Sequence, residues 1–304
     1  MDPHVKRILE ILDQTRGQLL GPLQSNPAAI RNMPNRWGPD IPEGPAMAVL
    51  ENRTIPGPAG DIPVRLFLPH ERRGAYLHIH GGGFVLGSHE AQDWWLQRIA
   101  HEAGVAIVSV GYRLAPEHPY PAGLDDCVAA ARWLAANAAS LCPESSLLGV
   151  GGESAGANLA VATMLRLRDE SGAHPFQATA LTFGWYDVGL GLPSMQAWGD
   201  RDIILSVPVM QAFADHYGAA DVKDPYVSPL YADLRDMPPA LFSVGTQDPL
   251  LDDTLFMEAR WRAAGARTEL AVLPEAVHAY NMFPLRITAA SREQQYAFLR
   301  EAIS

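Results

Sequence analysis

Residues 149–160 read GVGGESAGANLA and set Ser154 between Gly152 and Gly156, the pattern G-x-S-x-G. A sharp strand-to-helix turn leaves its apex residue in a strained backbone, so positions two before and two after must lack bulk, and the apex hydroxyl projects above the sheet. The following helix points its amino end at that hydroxyl, where the N–H of Ala155 can face a developing oxyanion. Two rival readings of the glycines fail. A dinucleotide-binding turn begins well with Gly149 and Gly151, but its third glycine position holds Ser154, and a phosphate loop of the Walker type would need a lysine after the last glycine.

A serine hydroxyl attacks a carbonyl only when a base takes its proton, and a neutral imidazole does this near pH 7. Of the 10 histidines, His278 in LPEAVHAYNMF follows the last strand signal and lies in a loop. Asp248, in LFSVGTQDPLLDD, directly follows the preceding apolar run and can orient that imidazole. Asp248 as a helix cap and His278 as a surface loop residue are the plainer readings of each taken singly. Upstream, His80-Gly81-Gly82-Gly83 follows another strand, where backbone without side chains can approach a substrate carbonyl and offer N–H donors. His78 and His80 lie two apart without a third ligand, and Cys127 and Cys142 match no metal or redox spacing, so neither a metal nor a cofactor is expected.

These residues need elements to hold them. The runs AVLENRTIPG and DIPVRLFLP, divided by turn chemistry, predict antiparallel strands at a sheet edge. From Ala75 onward short β-branched runs alternate with helical patterns: strands AYLHIH, VAIVSVGY, SLLGVG, ATALTF, PALFSVG and TELAVLP are separated by helices such as AQDWWLQRIAHEAG and LDDCVAAARWLAANAAS. Such alternation predicts an α/β domain with a mostly parallel sheet covered on both faces. Residues 188–232 carry helical stretches but no strand signal, and residues 1–45 hold one short helix and an irregular Pro/Gly/Asn-rich stretch. We read 1–45 and 188–232 as a two-part helical cap over a catalytic domain of 46–187 and 233–304.

Composition narrows the partners. With 304 residues, 48% of them hydrophobic and 19% charged, the chain can bury a sizeable core. A formal net charge of -11 disfavours nucleic acid. No run approaches the ~18 apolar residues of a membrane span, and no signal peptide is read. Reduced, buried thiols and the absence of a leader point to the cytoplasm, and TELAVLP as a late edge strand allows a homodimer.

Together HGGGF, YRLAPEHPYPAGLDD, GESAGANLA, DPYVSPLYADLRDMPPAL and GTQDPLLDD resemble the bacterial hormone-sensitive lipase family of carboxylesterases. That resemblance implies an α/β-hydrolase sheet with a helical cap, the chain order Ser154, Asp248, His278 of that fold, and hydrolysis of small ester substrates through an acyl-enzyme without cofactor. It also implies an oxyanion hole from the N–H groups of Gly82, Gly83 and Ala155, and a structural role for residues 112–119, with Arg113 and Glu117 paired. Departures from the family pattern are Glu153 where Asp is frequent, Ala157 where Gly is usual, Ala279-Tyr280 where Gly-Phe is usual, and FGWYD where proline often stands. They bear on substrate preference, with Trp185 and Tyr186 reshaping the pocket mouth. Trp37, Trp198, Met210, Met33 and Phe213 are available to line the pocket or to form cap core. A small lidded cleft favours short acyl chains. A catalytically silent binding protein on the same fold, or an amidase or lactonase with the same triad, are the alternatives.

Overall fold

The computed structural model describes residues 17–31, 43–143, 147–283 and 286–303. The sheet opens with a hairpin of β1 (Val49–Gly57) and β2 (Gly60–Leu68), paired antiparallel from Val49 opposite Leu68 to Gly57 opposite Gly60. Six strands follow: β3 (Gly74–Ile79), β4 (Val105–Val110), β5 (Leu148–Glu153), β6 (Ala178–Thr182), β7 (Ala240–Gln247) and β8 (Thr268–Val277). Their spatial order is β1-β2-β4-β3-β5-β6-β7-β8; β2 meets β4 antiparallel, and the pairings from β4 through β8 are parallel. The expected mostly parallel sheet with an antiparallel pair at one edge is present.

Helices α1 (Leu20–Ser25) and α2 (Pro27–Arg31) precede the sheet. Helices α3 (Asp93–Ala103), α4 (Ala122–Leu141) and α5 (Ala155–Ser171) connect its central strands. Short α6 (Pro193–Gln196) and α7 (Val207–Tyr217) lie in the insertion, and α8 (Leu251–Ala263) and α9 (Arg286–Ile303) flank β8 in the chain.

Every side chain of β3, β4 and β6 is buried. Period-two alternation then divides them between two faces. Tyr76, Ile107 and Leu241 pack with Trp95, Ile99 and Leu299 of α3 and α9, whereas their neighbours Leu77, Val108 and Phe242 pack with residues of α4, α5 and α8 such as Leu134, Leu159 and Trp261. Each such Leu or Val contributes about 1.5–3 kcal/mol by leaving water. A strand hidden on both faces has to be apolar throughout, hence the unbroken runs in the sequence.

Three boundaries differ from expectation. β5 runs to Glu153, so the strand delivers its chain directly into Ser154. β8 passes through Pro274 to Val277, where a stop is expected; β8 is a sheet edge, and an edge tolerates a residue without N–H. Of the Pro-rich stretch expected to be irregular from Gly21 to Pro45, the described residues 21–31 lie in or between α1 and α2, with Pro27 at the first helical position where its missing N–H costs nothing, while 43–45 are irregular as expected. The helix expected within residues 1–14 lies outside the described residues. Among the described residues no helix is long and apolar enough to cross a membrane.

Candidate active site

Ser154 is the turn between β5 and α5, with φ 56° and ψ −121°, a region L-residues rarely adopt. Steric demands on its neighbours are severe. A Cβ on Gly152 would lie 2.0 Å from the Ile79 carbonyl oxygen, and one on Gly156 would lie 2.0 Å from the same oxygen and 2.6 Å from that of His80. β5 and α5 can therefore press against β3 only with glycine at both positions. The Ser154 N–H donates to the Thr182 carbonyl at 3.0 Å, which ties the turn to β6. Four residues into α5, buried Asn158 donates from Nδ2 to the carbonyls of Trp185 (2.7 Å) and Val227 (2.8 Å), joining the helix to the insertion.

His278 follows β8 directly, and its Nε2 stands 3.1 Å from the Ser154 hydroxyl oxygen. Its Nδ1 lies 2.8 Å from Oδ2 of Asp248, in the turn after β7. Asp248 is buried, and its Oδ1 accepts the Leu250 N–H at 2.9 Å, which fixes the carboxylate plane. With a carboxylate at Nδ1, the neutral imidazole keeps its proton there and turns the Nε2 lone pair to the serine O–H. Phe183 packs on the His278 ring, centroids 4.6 Å apart. The structure thus brings Ser154, Asp248 and His278 into one hydrogen-bonded chain from three strand ends.

Beside the hydroxyl runs the glycine loop. Gly82 (φ 120°) and Gly83 (φ 61°) adopt backbone conformations that suit glycine, and the Gly82 carbonyl accepts the N–H groups of Val85 and Leu86. Ala155, buried, is the first residue of α5, whose leading N–H groups have no intrahelical acceptor. Gly82, Gly83, Ser154 and His278 line one cavity of about 620 Å³. Its walls come from both proposed cap segments: Leu19 and Leu20 from one, Ile204, Leu205, Val209, Met210 and Phe213 from the other. The segments touch each other where the Gly17 N–H donates to Asp202 (2.6 Å) and His216 Nε2 donates to the Leu23 carbonyl (2.9 Å).

The expected pocket residues divide. Trp185 and Met210 line the cavity; Tyr186 and Trp198 do not. Trp185 stands at the cavity, and Tyr186 turns into the core with its ring edge-on to Phe242 of β7. Trp198 is held inside the insertion, its Nε1 donating to the Leu205 carbonyl and the Arg201 guanidinium over its ring. Trp37 and Met33 lie outside the described residues. Sequence reasoning missed Phe183, Leu86 and Leu205, whose apolar side chains carry no signal beyond that of core.

The expected Arg113–Glu117 pair does not form. Arg113 turns inward and holds buried Asp126 of α4 through Nε (2.8 Å), Nη2 (2.9 Å) and its own backbone N–H (2.9 Å). Glu117, at the outer lip of the loop, is met instead by Arg31, with both guanidinium nitrogens at 2.9–3.0 Å. The same Arg31 donates to the carbonyls of Val85 and Ala115. Residues 112–119 do brace the glycine loop: the Tyr112 hydroxyl donates to the His80 carbonyl at 2.9 Å, and the two rings stack 4.3 Å apart. Burial pushes the His80 imidazole down to about 3, so it stays neutral while Nδ1 donates to the Gly81 carbonyl. His78 is engaged at both nitrogens, by Ser109 (3.1 Å) and Glu153 (3.0 Å). Among the described residues no group of three or more His, Cys, Asp or Glu could hold a metal ion.

Residues 76–282 match the model of a family described as having the alpha/beta hydrolase fold, more than half of the chain. The chain belongs to this α/β-hydrolase family. Carboxylesterase NlhH of Mycobacterium tuberculosis is 38% identical to it over 253 residues, covering 80% of this chain and 78% of the relative. An ethyl acetate hydrolase of Pseudomonas putida is 34% identical over 227 residues, covering 71% and 70%. A hyperthermophilic esterase from the archaeon Pyrobaculum calidifontis superposes with a TM-score of 0.82 at 31% identity, covering 100% of this chain and 99% of the other. The hormone-sensitive-lipase-type resemblance of the motifs and the α/β-hydrolase sheet agree with these matches.

Proposed function

We propose that the protein is a serine carboxylesterase that hydrolyses small carboxylic esters with short acyl chains. The observation that carries this reading is the single line of contacts from Asp248 Oδ2 through His278 to the Ser154 hydroxyl, opening on a cavity floored by Gly82 and Gly83. His278 Nε2 takes the Ser154 proton as Oγ attacks the ester carbonyl carbon. The carbonyl oxygen becomes an oxyanion and receives the N–H groups of Gly82, Gly83 and Ala155. Collapse breaks the bond to the alcohol, which leaves with the proton from Nε2. Water then repeats the sequence on the acyl-serine and releases the acid.

Residues 1–45 and 188–232 act as one cap on the catalytic domain, a division supported by their shared cavity wall. A cavity of about 620 Å³ lies in the ~300–1,000 Å³ range of small-molecule sites. Each further buried CH₂ adds only ~0.8 kcal/mol while room remains, so kcat/KM climbs briefly with acyl length and then falls. The ethyl acetate hydrolase among the relatives supports the same preference. Two smaller readings accompany this one. Edge strand β8 with half-exposed Leu270 and Val272 supports a homodimer, which sedimentation checks. Buried Cys127 and Cys142, not joined as a disulfide, support a cytoplasmic setting.

The deciding experiment is a series of p-nitrophenyl esters from acetate to palmitate, with matched anilides, on the wild type and Ser154→Ala. Activity at short chains that vanishes in Ser154→Ala is expected. A maximum at long chains with interfacial activation would make the protein a lipase, faster anilide cleavage an amidase, and a wild type no better than Ser154→Ala a silent binder.

A further inference from the structure

Helix α7 belongs to the insertion, yet two of its side chains rest on the glycine loop, one on its backbone and one on the ring of Phe84. Phe213 is the first. A Cβ placed on Gly83 would fall 2.4, 2.5 and 2.6 Å from the Phe213 Cγ, Cδ1 and Cδ2, so the ring lies directly over the Gly83 α-carbon. Tyr217 is the second, one helical turn on and on the same side of the helix. Its ring stacks on Phe84, the residue after Gly83, with centroids 3.8 Å apart and planes 13° from parallel. Phe84 has φ 65° and is buried, as are Phe213 and Tyr217. A bulky residue in that backbone region persists only where its surroundings hold it. Tyr217 is itself anchored, since its carbonyl accepts the Tyr120 N–H at 2.8 Å from the loop before α4.

We propose that Phe213 and Tyr217 are positioning residues that press Gly83 and Phe84 into the conformation that presents the oxyanion-hole N–H, so that this helix governs the rate of the chemical step and not only the fit of the acyl chain. The proposal rests on Gly83 serving as an oxyanion donor. An N–H aimed at the tetrahedral oxygen does its work because it needs no reorganisation as charge develops. Left without the Phe213 ring, Gly83 can rotate within the wide range open to glycine, and the hole becomes an average of aligned and misaligned states. Phe213 also lines the cavity. A residue that is only a wall changes KM and the acyl-length profile; one that sets the hole changes kcat on the smallest substrate.

A sulfur-for-oxygen substrate separates the two roles. p-Nitrophenyl thionoacetate carries C=S in place of C=O, and the larger, weakly accepting sulfur gains little from donors set for oxygen. The wild type is expected to favour the oxygen ester by at least ~100-fold. In Phe213→Ala, kcat for the acetate should fall ~10- to 100-fold with KM within about twofold, while the thionoacetate rate stays nearly constant, so the preference falls by the same factor. Phe213→Leu, which restores an apolar branch over Gly83, should recover most of it. A Phe213→Ala that raises KM and keeps the oxygen-over-sulfur preference would overturn the proposal while leaving the oxyanion hole intact. A wild type without that preference would remove the hole and the proposal together. Should Phe213→Ala not fold, by circular dichroism, Phe213→Leu and Tyr217→Leu carry the test: an intermediate drop in preference supports it, and no drop in either overturns it.

Discussion

Gly156→Ala is a one-methyl test of how the nucleophile is held. The new Cβ would lie 2.0 Å from the Ile79 oxygen, short by about 1.4 Å of the 3.4 Å at which ordinary contact begins, and the crowding atoms are backbone of a fully buried strand. α5 must therefore move away from β3 by more than an ångström. Alanine would favour the helix by up to ~1 kcal/mol over glycine, but such overpacking costs ~1–3 kcal/mol, so the clash wins and the variant is less stable. Activity suffers more. Ser154 is two residues away, and its oxygen stands 3.1 Å from His278 Nε2, already near the ~3.2 Å limit of a productive contact. A misplacement of about 1 Å can cost ~100-fold, or ~2.7 kcal/mol on the barrier. Turnover of p-nitrophenyl acetate by Gly156→Ala should thus fall at least ~100-fold, with labelling by a phosphonate ester slowed in parallel while circular dichroism stays native. Full turnover, within threefold of wild type, would refute the argument that Gly156 exists to let the turn approach β3.

Further expectations concern the residues around the site. His278→Ala should lose nearly as much activity as Ser154→Ala, and Asp248→Asn about 10⁴-fold in kcat, as in measured triads; a crippled Asp252→Asn beside an active Asp248→Asn would move the acid to another residue. Asp126→Ala strands Arg113 and its N–H; because Arg113 is partly exposed, at 27%, the loss is about 2–4 kcal/mol of stability by urea melts, with kcat within a few-fold. His80 binds a proton only near pH 3 when folded but near 6.5 when unfolded, so the unfolded chain gains protons between these values and stability falls with pH there. From pH 6.5 to 5 this costs about 1–2 kcal/mol, and in His80→Gln the stability curve should be flatter over that range; an unchanged slope would contradict the buried neutral imidazole.

The parts of the site that were legible are those whose requirements are local. Gly152, Ser154 and Gly156 announce themselves because a tight turn excludes bulk within five residues. Asp248 and His278 stand out as candidates because each directly follows an apolar strand run, and in a parallel sheet all such positions collect at one end, where the structure sets the two 2.8 Å apart. What failed needed three dimensions. Arg113 has several acids within reach of its sequence neighbourhood, and choosing Asp126 over Glu117 depends on which way the loop turns its side chains, while Arg31 arrives from more than 80 residues away. Tyr186 likewise packs on Phe242 of β7, a contact that its sequence neighbours do not announce. Helices α1 and α2, by contrast, are too short to form alone and exist through packing.

Helix α7 bears on how such an enzyme can change over generations. Val209 and Met210 in its first turn face the cavity, while Phe213 and Tyr217 one and two turns later rest on the glycine loop. With Phe213 and Tyr217 in the positioning role proposed above, drift at the earlier turn alters which acyl group is accepted, and the later turn stays under constraint whatever the diet of esters. Libraries that randomise 209 and 210 should therefore yield many active variants of altered preference, and those that include 213 and 217 mostly inactive ones, so a single helix separates what can be explored from what has to be kept.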